Sequence, residues 1–392
     1  MPAGSLWVIL GLAGIATVSG IYPLLLLLCP RTARPIPVNS TSGYPSVTII
    51  TAARNAAALL EAKLRNMAQM DYPSDRLAFI VASDASTDGT RDLVLKCNDP
   101  RLRLVEQSEH AGKAAALNRA VAETDTDLLL FSDADALLAP DAVLKMARHF
   151  ADADVGGVCG QRMIASGGRP FRDAQQTYIN LDSRLKCIES AHGRITSNDG
   201  KIHMVRRSLF RPIPGDVTDD LYTALAVIAQ GYRFVFEPDA VAVIGVPSRH
   251  LRHEIRRRRR IVTRSLTGIF RMRRLLNPFR HGLFSIGLLI NKVGRRFLPF
   301  FLVSLMAGGA RIGVEYWAPV TVGALAAALL AGTAALLRVD LPERGRRWMK
   351  PLRAAQYALA GFIGTAWGVL DFLTGRRVCV WEPLKTPASA KS

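Results

Sequence analysis

The chain has 392 residues, with 51 Lys and Arg against 32 Asp and Glu, and its formal net charge of +19 points first to nucleic acid or a membrane surface. The distribution decides between them: residues 43–248 carry 23 Lys and Arg against 26 Asp and Glu, whereas residues 249–280 carry 12 Arg against one Glu. A nucleic-acid enzyme carries its basic surface on the folded domain, so no nucleic-acid partner is expected here; positive charge bordering apolar stretches is the pattern of a membrane protein whose partners include lipids.

In chain order, residues 1–30 form an expected transmembrane helix, because Ser5–Leu28 is uncharged and long enough to span a bilayer. Arg31 and Arg34 follow it rather than precede it, which favours a retained anchor with its N-terminus outside over a cleaved signal. Residues 31–45, with Pro35, Pro37 and Pro45, read as a linker. Over residues 46–248, strands are expected at Ser46–Thr51, Leu77–Ser83, Leu102–Val105 and Asp127–Ser132, with helices at Ala56–Met70, Thr90–Lys96 and Lys113–Val121 between them. Val155–Cys159 and Tyr232–Phe236 add strands, and Leu221–Ala229 a helix ended by Gly231. This alternation predicts an α/β domain with a parallel sheet covered by helices.

Residues 249–296 read as basic amphipathic, interfacial helices and 297–374 as transmembrane helices. Within them Leu283–Ile290 is too short to span, Phe297–Ala310 is interrupted by Pro299, Pro319–Leu337 is a clean span, and Ala354–Leu373 is a further span or an interfacial element. The cations from Arg338 to Arg353 place that loop, and residues 43–296 with it, in the cytoplasm. Residues 375–392 are a tail, and the five cysteines show no paired spacing, consistent with a reducing compartment.

The chemistry collects where strands end. Asp127–Asp135 reads Asp-Leu-Leu-Leu-Phe-Ser-Asp-Ala-Asp, an apolar strand running into two carboxylates at i and i+2. Ligands of open α/β sheets sit beyond the carboxyl ends of the strands, and residues i and i+2 of an extended chain point the same way. Asp133 and Asp135 thus suit Mg²⁺ or Mn²⁺, with a diphosphate completing the coordination. The pattern occurs often by chance, so its company matters. Thr51–Asn55, with Ala53 at its centre, is either an ordinary turn or a loop that closes over a nucleotide base. Asp84 ends the second strand and suits a uracil or ribose, while Asp88-Gly89 marks a turn. Gly112-Lys113 opens a helix, a place for phosphate or for a solvated lysine. Thr218-Asp219-Asp220 opens another, where the acids either cap the helix or supply a general base.

Taken in this order, the stretches from about Val47 to Ile261 resemble the membrane-integrated family 2 glycosyltransferases, the group holding cellulose, chitin, hyaluronan and poly-N-acetylglucosamine synthases and ceramide glucosyltransferases. The resemblance implies a GT-A nucleotide-sugar-binding domain between an N-terminal transmembrane helix and C-terminal interfacial and transmembrane helices. It implies a UDP-sugar donor, a glycan or lipid acceptor, and a catalytic domain on the cytoplasmic side of the cell membrane. By the same likeness Asp84 binds nucleotide, Asp133 and Asp135 hold the sugar diphosphate and its metal, Asp220 is the catalytic base, and Ser197–Arg207 lines the acceptor site. The family's Q/R-x-x-R-W stretch corresponds to Arg257–Ile261, leaving Arg257 and Arg260 as diphosphate clamps. Ile261 replaces the Trp that helps hold acceptor sugar in processive members, which leans toward addition of a single sugar to a lipid, whereas the long basic helix and Trp381-Glu382-Pro383 resemble members that build exopolysaccharide; the expected acceptor is a polysaccharide or a lipid, and the non-enzyme alternative is a catalytically silent membrane scaffold.

Overall fold

The computed structural model describes residues 4–28, 43–165, 172–245, 251–316 and 349–376. The expected span Pro319–Leu337, most of the basic loop after it and the tail from Arg377 lie outside them. Helix α1 (Ser5–Leu28) leads the chain. The domain then runs β1 (Val47–Ala53), α2 (Ala57–Ala68), β2 (Leu77–Asp84), α3 (Thr90–Lys96), β3 (Leu102–Gln107), α4 (Lys113–Ala122), β4 (Leu128–Phe131), β5 (Ala136–Leu138) and α5 (Ala142–Ala147). It continues with β6 (Val155–Ile164), α6 (Arg172–Ala191), β7 (His203–Arg206), α7 (Asp219–Ala229) and β8 (Arg233–Ile244). Helices α8 (Leu251–Arg271), α9 (Leu283–Glu315) and α10 (Met349–Leu373) follow.

The strands form one sheet in the order β3-β2-β1-β4-β7-β6-β8-β5. It is mixed rather than all parallel. The first four strands pair in parallel, but β7 is antiparallel to both β4 and β6, and β5 to β8. The two strands that break the parallel pattern are those the sequence did not announce. β5 has three residues, and β7 is His-Met-Val-Arg, with no apolar run to mark it. β1 is buried throughout, with Val47 and Ile49 in one core and Ile50 and Ala52 in the other, the two-residue alternation of an extended chain. Helices α2, α3 and α5 cover the first face through Leu60, Val94 and Met146, while α4 and α7 cover the second through Leu117 and Leu225.

One charge lies inside the first core. Lys63 belongs to the buried face of α2 with Leu60, Leu64 and Met67, and none of its surface is exposed. The alternation that turns Leu128 and Leu130 of β4 toward α2 brings Ser132 to the same side. The Lys63 ammonium donates to Ser132 Oγ at 2.7 Å and to the Ala136 carbonyl at 2.7 Å. It therefore braces both ends of Asp133-Ala134-Asp135 from below. Burial pulls its pKa down to about 7, against the attraction of Asp133.

Among the described residues, α1 and α9 are the helices long and apolar enough to cross a membrane. Helix α9 joins Leu283–Ile290 to Phe297–Ala310, which the sequence separates. The join is irregular, a π-helical stretch Leu288–Val293 and a 3-10 turn Gly294–Phe297, and Pro299 directly follows it, in the first turn of the α-helical part Leu298–Tyr316, where its missing N–H is accommodated. Glycines bring α1 and α9 together: a methyl group at Gly308 would lie 2.7 Å from Val8 N, and one at Gly11 would lie 2.7 Å from the Phe301 carbonyl. Helix α10 lies along α8 in the same way. A side chain at Gly364 or Gly368 would meet backbone oxygens of Ile255 or Arg259 at 2.7 Å, and Arg259 binds Asp371.

Two expectations follow from this packing. Gly308→Leu should overpack the α1–α9 contact by ~1–3 kcal/mol, seen as a lower thermal midpoint in detergent. Lys63→Met should cost ~1–3 kcal/mol through the stranded Ser132 and Ala136 groups; an unchanged denaturation midpoint would rule out the brace.

Candidate active site

Beyond the carboxyl ends of β1 and β4 opens a cavity of about 510 Å³. The β1–α2 loop, the β4–β5 turn, the N-termini of α4 and α7, the turn before β7 and one face of α8 line it. Two loops at its rim are tied to each other. Asn55 and Ala85 take left-handed backbone angles, φ 46° and 49°, and Asn55 Oδ1 accepts Thr87 N at 2.8 Å. Asp88 accepts Ala57 N and Thr90 N, each at 3.0 Å, so it caps both α2 and α3, in keeping with a turn residue.

At the centre is an alternating ladder of charge. Asp219 Oδ2 meets Lys113 Nζ at 2.6 Å, and Lys113 reaches Asp133 Oδ1 at 2.7 Å. Lys201 Nζ then joins Asp133 Oδ2 at 2.7 Å to Asp135 Oδ1 at 2.6 Å. Each member is placed by an element's end. Lys113 opens α4 after Gly112, whose φ of 92° needs a glycine. Asp219 stands in the first turn of α7. Burial alone would raise the carboxyl pKa of Asp133, yet Lys113 and Lys201 hold it far below the usual range. Lys113 likewise holds Asp219 down.

Asp220, one residue on, is treated oppositely. Burial and the charge of Asp219 push its pKa up to about 6. Its carboxylate receives Leu221 N at 2.7 Å and packs against Gly200, where an added methyl would sit 3.7 Å from Asp220 Oδ2. Adjacent carboxylates whose pKa values are driven apart suit separate duties, one as a structural ion-pair partner and one as an acid or base.

Ala53, Lys113, Asp133, Asp135, Asp220, Arg257 and Arg260 all line this cavity. Asp84 does not. It is fully buried, and its carboxylate accepts His110 Nδ1 at 2.7 Å, Ala111 N at 2.9 Å and Gly112 N at 3.1 Å. In this arrangement it anchors the loop that delivers Lys113. Arg257 is paired with Glu254 through two contacts of 2.9 Å. Arg260 has no hydrogen-bond acceptor among the described residues, and burial with Arg264 and Arg257 lowers its pKa.

The sequence did not single out Lys201 or Lys63. Lys201 sits 66 positions from the acid it bridges, inside a stretch read for the acceptor, and Lys63 looks like any helical surface lysine. Arg162, Arg264, Lys292 and Arg296 also line the cavity; the last three carry the sequence signal of charge flanking apolar segments, and Arg162 lies within β6.

The donor set fits a divalent cation. Lys201 already holds a positive charge between two hard carboxylate oxygens. No group of three or more His, Cys, Asp or Glu among the described residues can hold a metal by itself, so a diphosphate would have to supply further oxygens.

Known proteins resemble the chain over this domain. Residues 48–213 match glycosyl transferase family 2. The chain is 28% identical to an N-acetylglucosaminyltransferase of Rhizobium meliloti over 242 residues, 55% of either chain. It is 28% identical over 226 residues to a beta-monoglucosyldiacylglycerol synthase of Synechocystis, covering 55% of this chain and 47% of that one. The chain thus spans about half the length of the curated relatives it matches. Among solved structures it resembles the mannosyltransferase PcManGT from Pyrobaculum calidifontis, in complex with GDP-Man and Mn²⁺. The TM-score is 0.66 at 28% identity, over 95% of this chain and 100% of that one. Residues 48–213 are thus a glycosyl transferase family 2 domain, built on a GT-A-like fold with apolar helices on either side.

Proposed function

We propose that the chain is a membrane-bound inverting glycosyltransferase that moves a sugar from a nucleotide diphosphosugar, taken as UDP-linked, to an acceptor hydroxyl at the cytoplasmic face of the membrane. The observation that carries this reading is the split pair at the start of α7, with Asp219 locked to Lys113 and Asp220 half-buried beside it, its pKa pushed up to about 6.

The acceptor oxygen attacks the anomeric carbon and forms the new C–O bond. Asp220 takes its proton, and the bond to the diphosphate breaks with its electron pair leaving on the phosphate oxygen. A direct displacement needs one base and no protein nucleophile. Lys113 and Arg260 lie where they can draw the departing charge. Asp133 and Asp135 are the residues that would hold Mg²⁺ or Mn²⁺, and that ion would neutralise charge on the leaving diphosphate. The Mn²⁺ in the PcManGT complex supports this. Ala53, on the β1–α2 loop, is proposed beside the nucleotide, and Asp84 behind it as the group that shapes the loop above Lys113. GDP-Man in that same complex makes GDP-sugars the necessary comparison in a donor panel. Ile261 lines the cavity where a Trp would stack on a sugar chain, which favours a single addition to a lipid over a polymer.

Asp220→Asn should lower kcat by ~10²–10⁴ while the dissociation constant of the donor, measured by calorimetry, stays near wild type; near-normal turnover in a nucleotide-release assay would remove the base assignment. A base works deprotonated, so log(kcat/KM) should rise with unit slope as pH climbs toward about 6 and level off above it; a flat profile from pH 5 to 7 contradicts the assignment. Asp135→Ala should abolish the gain in donor affinity given by Mn²⁺, and titrations showing the same gain would count against the metal role.

A further inference from the structure

Lys201 is delivered to its acids by the sheet itself. Strand β7 runs antiparallel to β4, with Phe131 opposite His203. Two residues beyond that pair on each chain stand Asp133 and Lys201, so the register that pairs the strands also sets the lysine across from the carboxylate. Asp199 fixes the backbone there: its Oδ1 accepts Lys201 N at 3.0 Å, and its carbonyl accepts Ile202 N at 3.3 Å. The Lys201 side chain is 19% exposed, which sets it apart from a solvated surface lysine. Its ammonium stands 2.7 Å from Asp133 Oδ2 and 2.6 Å from Asp135 Oδ1.

The place it fills is the one a divalent ion would need. Mg²⁺ sits about 2.0–2.1 Å from its oxygens. An ion shared by Asp133 Oδ2 and Asp135 Oδ1 would fall against the Lys201 ammonium, and two cations so close repel strongly. Lys113 presents no such conflict, because it lies on the other oxygen of Asp133 and is tied to Asp219 as well. The carboxylates themselves are held from beneath, where Lys63 donates to Ser132 Oγ and to the Ala136 carbonyl on either side of their turn. The side chain of Lys201, a flexible four-carbon stem, is the party that can move without disturbing a backbone. A bare ion would strip that ammonium of both its ion pairs. An ion carried by a nucleotide diphosphate brings phosphate oxygens, which complete its coordination and give a released ammonium a new anion.

Resting on the transferase reading above, we infer that Lys201 is an exchangeable counter-ion: it bridges Asp133 and Asp135 in the free protein and yields its place to a divalent cation that arrives with a nucleotide diphosphate. Lys201 is then an internal competitor of the bare ion, whose apparent affinity falls by the fraction of time the lysine stays in place. Metal and nucleotide are taken up together rather than one after the other.

The test reads protein-bound Mn²⁺ by electron paramagnetic resonance on the purified full chain, without acceptor or turnover. A protein-free control subtracts the Mn²⁺ held by nucleotide in solution. Wild-type protein should bind Mn²⁺ about ten-fold more tightly with UDP or GDP than alone. Lys201→Met, which keeps the length and loses the charge, should bind Mn²⁺ alone about ten-fold more tightly than wild type. Lys201→Arg, which keeps the charge, should stay near wild type. A purely structural lysine predicts the reverse for Lys201→Met, since its loss would loosen the two carboxylates and weaken the site. Unchanged or weaker Mn²⁺ binding by Lys201→Met overturns the inference, and so does wild-type protein that binds the ion equally well with and without nucleotide; either result leaves the transferase and metal readings standing. If Lys201→Met does not fold, the wild-type comparison decides alone. Nucleotide binding with no Mn²⁺ uptake under any condition overturns the metal role of Asp133 and Asp135 together with the exchange.

Discussion

Carboxylates do not gather at one point in a folded chain unless cations are built in with them. Two unit charges 4 Å apart repel by about 4 kcal/mol at an effective dielectric constant of 20. Asp133, Asp135, Asp219 and Asp220 share one cavity because Lys113 and Lys201 are threaded between the first three. The lysines in turn need fixed backbones, and the fold supplies them at the ends of its elements. Asp84 grips the loop before Lys113. Asp199 accepts Lys201 N at 3.0 Å and so shapes the turn that carries the second lysine. Lys63 holds both shoulders of the Asp133–Asp135 turn.

The arrangement spares one acid. Lys113 cannot serve Asp220 as closely as it serves Asp219, because successive residues at a helix start point in different directions. Asp220 is left with a helix N–H, and burial together with the charge of Asp219 raises its pKa to about 6. The same pairing that ties Asp133, Asp135 and Asp219 to lysines leaves Asp220 apart from them.

Much of this could be read from the chain alone, and the rest has physical reasons for being hidden. Apolar runs such as Leu128–Phe131 announce buried strands because nothing else so short and unbroken is stable. Acids at their ends announce a site because open α/β sheets bind there. β7 was hidden because a strand flanked on both sides by others takes its stability from pairing and burial rather than from its four residues. Lys63 and Lys201 were hidden because a lysine's partner is a matter of three-dimensional neighbours, and theirs lie about 70 residues away. The continuity of α9 was hidden because Pro299 reads as a break, whereas the chain absorbs it by passing through a π-helical stretch and a 3-10 turn just before it.

The apolar helices belong to the site. Glu189 of α6 is buried, with its pKa raised by that burial, and accepts Tyr22 of α1 at 2.6 Å together with Thr196 N at 2.8 Å and Thr196 Oγ1 at 2.6 Å. Asn291 of α9 donates to Thr196 Oγ1 at 2.8 Å. Gly287 makes room for the Tyr22 ring, since a methyl group there would fall 2.2 Å from its hydroxyl. Thr196 begins the turn that packs on Asp220, so the position of Asp220 is set from two sides, by the sheet and by the apolar helices α1 and α9. A domain cut free at residues 46–248 would keep the ladder of lysines and acids. It would lose Lys292, Arg296 and the hydrogen bonds that fix the turn packed on Asp220.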